Sequence, residues 1–299
     1  MKYNYFLIAS LAATLVFTSC GGDKTESDEE LSNVDTLKVE NKTEQNSEIF
    51  FQVPSPGEML TFIKEVGGKN NKNVSFLNSV DNQKNYNDVK SKAINFGIYS
   101  CDLSYCSIFN IGPEALKYFK TVKQLGDQIG VSSAIKPEML KRLEGNLGNT
   151  DSLGVITDEI YFSSFETLEN SKQGSTLALV VSGGWIESLF IATSLVNTSK
   201  IEVTSPIIER IADQKYTLDN LIEFLKKYES DANVAQVITQ FTELQSEFNK
   251  IGEKNAPESK DKTKHVLGGG KELAITAEQY KAIVEKIKSI RNSYTNNNK

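Results

Sequence analysis

The sequence predicts an all-α protein, a multi-helix bundle or irregular helical array of roughly eight to ten helices. Three observations carry that expectation. Apolar residues recur at intervals of three and four through most of the chain after Ile49. Helix starts are marked by capping-box residues and by Pro at first helical positions, as in "SPGE" (55–58) and "TAEQ" (276–279). No segment offers a hairpin turn between alternating strands.

The first element is not part of the folded body. "MKYNYFLIASLAATLVFTSC" places Lys2 before an apolar run from Phe6 to Phe17 and then small residues up to Cys20. Residues 1–19 therefore read as a secretion signal, too short to remain as a span. The ending "FTSCGG" resembles the lipobox of bacterial lipoproteins, with Phe17 where that family most often has Leu. The resemblance implies that Cys20 is diacylated on sulfur, that the signal is cut before it, and that the new amine is acylated. Two or more acyl chains give stable anchoring, at about 0.8 kcal/mol per buried CH₂.

Residues 20–48 follow as a tether. From Gly21 to Glu48 there are nine acidic and three basic residues and no apolar periodicity. Such a segment cannot bury enough apolar surface to offset its ordering entropy, so disorder is expected. Its reach is on the order of 30 Å. Ser27-Asp28-Glu29-Glu30 is similar to the acidic export signals that carry some Bacteroidota lipoproteins to the cell surface, though it lies further from Cys20. A plain solvated linker explains the same residues, so a surface location and a periplasmic one both stay open.

Residues 49–253 read as one all-helical domain. Ser55, Pro56 and Glu58 start a helix that Gly67-Gly68 stops, and a polar Asn/Lys segment runs to about Tyr86. A helix then ends near Asn110, and Gly112-Pro113 restarts the chain with Leu116, Phe119, Val122 and Ile129 in register. Shorter signals mark helices over 137–147, with Met139, Leu140 and Leu143, and over 152–169, with Leu153, Ile156, Ile160 and Leu168. Pro206 opens "PIIERIADQKY", and Thr217 is read as the cap of a separate helix, "LDNLIEFLKKY". Val234, Val237, Ile238, Phe241 and Phe248 pattern the next. Residues 254–275 look like a flexible loop. Thr276 and Gln279 form a capping box before a C-terminal helix in 276–299, expected to pack on the domain through Tyr280, Ile283, Val284, Ile287 and Tyr294. Two halves echo each other loosely, each with a helix rich in small residues near Gly97 or Gly184 and then a Pro-started helix. The similarity is too loose to call a repeat, and common helical periodicity explains it otherwise.

"LALVVSGGWIESLFIATSLV" (177–196) is the least polar stretch outside the N-terminus, and its length would span a bilayer. Its central Glu187 would cost about 2.5–3.5 kcal/mol in lipid, so a buried core helix is the better reading. On that helix Thr176, Gly183, Glu187 and Ser194 fall within about 40° of one another. This narrow small-and-polar stripe either reaches solvent, with Glu187 meeting a Lys or a backbone donor, or faces a cavity that binds something cationic or hydrogen-bonding. The helix around Gly97 carries a small-residue seam of Ala93, Gly97, Ser100 and Ser104. Asp102 lies opposite, with Asp88, Ser91 and Asn95, on what reads as a solvated face. Asp102 and Glu187 are therefore not expected to act as a catalytic pair.

Other chemistry finds little support. His265 is the only histidine and sits in a loop-like context, with no nucleophile elbow elsewhere. "GGGK" (268–271) lacks both the earlier Gly and the Ser or Thr that a phosphate loop needs. Cys101 and Cys106, five apart on one helix, point about 140° apart and are expected as unbonded buried thiols. No metal site, no cofactor and no catalytic residue is expected. A net charge of −6 without a basic block argues against a nucleic-acid partner. Trp185 and the Tyr and Phe residues are expected mainly in the core.

"NFGIYSCDLSYCSIF" (95–109) and "FFQVPSPGEM" (50–59) resemble helical lipoproteins of Bacteroidota, over about residues 49–200. That likeness supports the helical class and transfers no site residue. The functional expectation is a lipid-anchored binding or scaffolding protein of the cell envelope, at the outer membrane, that meets an envelope protein partner. The alternative is a small-molecule binder or enzyme with a cavity beside Glu187.

Overall fold

Two helices buried on every side form the axis of the molecule, and the other helices enclose them. The computed structural model describes residues 55–68, 71–196, 200–255 and 271–295. Cys20, the tether, His265 and residues 256–270 lie outside the described residues. Nine α-helices occur among them: α1 (Pro56–Ile63), α2 (Val89–Ile108), α3 (Gly112–Ile129), α4 (Pro137–Gly145), α5 (Thr150–Asn170), α6 (Gly174–Ser194), α7 (Pro206–Lys226), α8 (Ala232–Phe248) and α9 (Ala277–Thr295). A π turn over Lys64–Gly68 extends α1, and a 3-10 turn covers Val80–Asn85. The all-α class is as the periodicity foretold.

Local chemistry sets the helix starts. The Ser55 hydroxyl accepts the Glu58 N–H at 3.3 Å, and Pro56 occupies the first helical position of α1. Asp88 caps α2 by accepting the Ser91 N–H at 2.9 Å. At α9 the capping box closes in both directions. The Gln279 N–H donates to Thr276 Oγ1 at 3.2 Å, and the Thr276 N–H donates to Gln279 Oε1 at 2.8 Å.

Helix α6 is buried continuously from Leu177 to Leu189, and α2 from Ala93 to Ile108. They pack in close contact: Gly97 of α2 faces Val180 and Gly184, while Gly183 of α6 faces Ile94. A methyl group at Gly97 would overlap the Val180 carbonyl oxygen, and one at Gly183 would overlap that of Ile94. Only glycine permits backbones to approach this closely. The expected small-residue seam at Gly97 is thus a helix-crossing point. Around the pair, α1, α3, α5 and α9 pack on α2, and α1, α5, α7, α8 and α9 pack on α6. Among the described residues α6 is the one helix long and apolar enough to cross a membrane, and 94% of its apolar window is buried inside the fold.

Two sequence expectations need correction. Helix α7 runs unbroken through Thr217, which is 9% exposed at mid-helix instead of capping a new helix. No Gly or Pro follows Pro206 before Lys226, and an interior Thr costs only a fraction of a kcal/mol, at most about 0.7. The expected loop also holds regular structure at both ends, where β1 (Gly252–Asn255) pairs antiparallel with β2 (Lys271–Ala274). Four-residue strands joined across residues 256–270 leave neither a periodic run nor a tight turn to read. Cys101 and Cys106 are free and buried, in keeping with their spacing.

Candidate functional site

The only charge in the apolar run of α6, Glu187, has no solvent exposure. Its partner comes from the far end of the chain. Arg291 projects from the buried stripe of α9, one turn beyond Ile287, and reaches α6 with a two-pronged grip. Nε donates to Glu187 Oε2 at 2.9 Å, and Nη2 donates to Oε1 at 3.0 Å. Bidentate pairing of this kind gives geometric specificity as well as energy. The guanidinium also stands 4.4 Å from the centre of the Phe190 ring, and its remaining hydrogens reach Thr295 Oγ1 and the Phe76 carbonyl, both at 3.4 Å. Burial works against the charge on Arg291, but Glu187, with smaller help from Asp102 and Tyr86, offsets it and holds the pKa above the ordinary guanidinium value.

A second carboxyl enters the same junction from α2. Asp102 is fully buried, and its Oδ2 accepts the Asn78 N–H at 3.2 Å. Oδ1 meets no donor. Burial raises the Asp102 pKa well above the carboxylate range, and adjacent Glu187 raises it further, against a smaller pull from Arg291. A carboxyl in that position favours its neutral form.

Residues 71–87 lie over this junction as a strap with little regular structure, so side chains from the helices must satisfy its backbone. Tyr105 donates to the Asn73 carbonyl at 3.0 Å, Tyr118 to that of Asn78 at 3.1 Å and Tyr99 to that of Ser79 at 2.7 Å. Asn78 is the hub. Its Nδ2 donates to Tyr86 Oη at 3.0 Å and to Asn95 Oδ1 at 3.2 Å, and its Oδ1 accepts from Asn82 at 2.8 Å. Tyr86 and Asn95 in turn donate to the Thr295 and Tyr294 carbonyls at 3.2 and 2.9 Å, closing the end of α9 onto the strap.

Of the stripe Thr176, Gly183, Glu187 and Ser194, only Glu187 belongs to this cluster. Gly183 packs on the α2 backbone, Thr176 is half-buried, and Ser194 is exposed with its hydroxyl turned back to the Phe190 carbonyl. The Arg291 guanidinium fills the position beside Glu187 where the alternative reading needs a cavity. The solvated face expected for α2 is corrected. Asp88 is exposed and Ser91 half-exposed, but Asn95 and Asp102 are at 0% because the strap covers them. Asp102 and Glu187, which the sequence set apart, come together.

Sequence reading missed Arg291 and Asn78. Arg291 left one signal, since it lies four residues after Ile287 and three before Tyr294, within an apolar stripe. Asn78 left none among the many asparagines of its segment. Chemically the cluster can hold a proton and tie α2, α6, α9 and the strap together, but it is sealed from any substrate. Among the described residues no three His, Cys, Asp or Glu side chains are grouped to hold a metal ion. Compared with known proteins, the chain matches no family model, no curated protein and no solved structure.

Proposed function

We propose that the chain is a lipid-anchored binding or scaffolding protein of the bacterial cell envelope, held at the outer membrane through Cys20. The observation that carries this reading is the burial of α6. Its apolar length is enclosed by other helices, so attachment falls to the acylated Cys20 and its tether. Large apolar side chains on the outside, Val66, Val89, Val155 and Tyr216, come from separate elements and suit a body that stands in water. A body of this kind on a long acidic tether suits a module that meets an envelope protein partner, from the periplasmic or the outer face.

Fractionation of cells expressing Cys20→Ala tests the anchor. The variant is expected in the soluble fraction, and a variant that stays with the membranes overturns the reading. Crosslinking intact cells and isolating the acylated protein is then expected to bring down a stoichiometric protein partner.

A further inference from the structure

Asp102 presents a geometric problem that a proton solves. It is sealed from solvent, one oxygen accepts from Asn78, and the other oxygen faces no donor. Its acidic neighbour Glu187 already gives both oxygens to Arg291. Two ionised carboxylates against one guanidinium would leave an uncompensated charge in a dry junction, an arrangement that folded proteins avoid by neutralising a group. We propose that Asp102 is a protonated carboxylic acid whose Oδ1–H donates to Glu187, and that this proton latches the residue 71–87 strap over the junction of α2, α6 and α9.

The surrounding groups agree with that assignment. Glu187 from α6 disfavours ionisation of Asp102, and Arg291 from α9 favours it less strongly. Tyr118 from α3, Tyr86 from the strap, and Tyr99, Cys101 and Cys106 on α2 itself are all kept neutral by burial. Helix α5 brings Tyr161 against Cys101, also neutral, and Glu58, the charged residue of α1, is exposed. The cation that faces the pair is Arg291. Ionisation passes the proton to water and leaves two carboxylates on one guanidinium. Lifting the strap hydrates Asp102, and the Asn78 N–H loses its acceptor.

Linkage sets the form of the test. The open state holds Asp102 at an ordinary carboxylate pKa and the closed state holds it higher. Between those two values the opening constant rises about tenfold per pH unit. Hydrogen exchange of the Asn78 amide and its strap neighbours, corrected for intrinsic rate, is measured on the full chain from about pH 5 to about pH 8. The wild type is expected to follow that slope. Asp102→Asn keeps an acceptor for Asn78 and a donor for Glu187, and is expected to show none.

Infrared spectra of the ¹³C-aspartate-labelled wild type supply an independent readout. At about pH 8, well above the value near 6 to which burial raises Asp158, a protonated-aspartate carbonyl band is expected. A wild type with all aspartates ionised at that pH overturns the proposal. So does a band accompanied by strap exchange without pH slope, since the proton then latches nothing. Both wild-type measurements decide the matter even if Asp102→Asn fails to fold.

Discussion

Helices α2 and α6 occupy equivalent places at the centre of the molecule and satisfy burial by different means. In α6 nearly every buried side chain is apolar or small, and its one charge is met by a single long side chain, Arg291. In α2 the buried span contains Asn95, Ser100, Asp102, Ser104 and Ser107, together with Tyr99 and Tyr105. Serines 100 and 104 turn their hydroxyls back to carbonyls one turn earlier. Asn95, Tyr99, Asp102 and Tyr105 instead bond to the strap. A helix can therefore be buried by leaving few polar groups to satisfy, or by having another segment supply partners for many.

The point the two helices share should be the most sensitive. Gly97→Ala and Gly183→Ala each force a methyl into the opposing backbone, which cannot rotate away. Each is expected to cost about 4 kcal/mol or more, read as a lowered denaturant midpoint at unchanged slope. A cost below about 1 kcal/mol would mean that the helices cross elsewhere.

Next in size is the single charge of α6. Arg291→Met strands Glu187 in the core and is expected to cost about 3–5 kcal/mol. The double change Glu187→Met with Arg291→Met removes both charges and is expected to recover most of that loss, because a buried pair contributes little over well-packed apolar groups. A double variant no better than the single one would show that the pair itself holds α9 in place.

The smallest effect concerns an acid outside the central pair. Asp158 on α5 sits against Gly57 of α1, and burial with help from Glu58 raises its pKa to about 6. A raised folded-state value means that its stabilising contribution is whole below the ordinary carboxylate pKa. It is lost as the pH rises through about 6, and above that this contribution is constant. Asp158→Asn is expected to make the fall of the thermal midpoint shallower below about pH 6 and to leave the part due to Asp102, measured between about pH 4 and pH 8. An unchanged slope below about pH 6 would show that Asp158 contributes nothing and that Asp102 carries the whole of it.

Much of the architecture was legible because local physics controls it. The Ser55 and Thr276 caps, the stripe from Tyr280 to Tyr294, and the burial of 177–193 rest on spacing and composition within one segment. The candidate site was legible only in Glu187. Its partner Arg291 lies 104 residues away, Asn78 lies 24 residues from Asp102, and nothing at either end announces the match. Asp102 was misplaced for the same reason. Helical geometry correctly put it on a face with Asn95, yet whether water or a strap covers that face is not a property of the helix.

By itself the sequence determined the all-α class, the positions of most helices, the antiphase of Cys101 and Cys106, and the core role of the helix bearing Glu187. These follow from periodicity, capping chemistry and hydrophobic burial, which act over a few residues. Only the tertiary structure decided that Arg291 enters the core, that residues 71–87 close over α2, and that Asp102 and Glu187 share one dry junction. Those outcomes depend on which polar groups find each other when segments distant in the chain pack. There the cost of burying an unpaired group makes one arrangement far better than the rest.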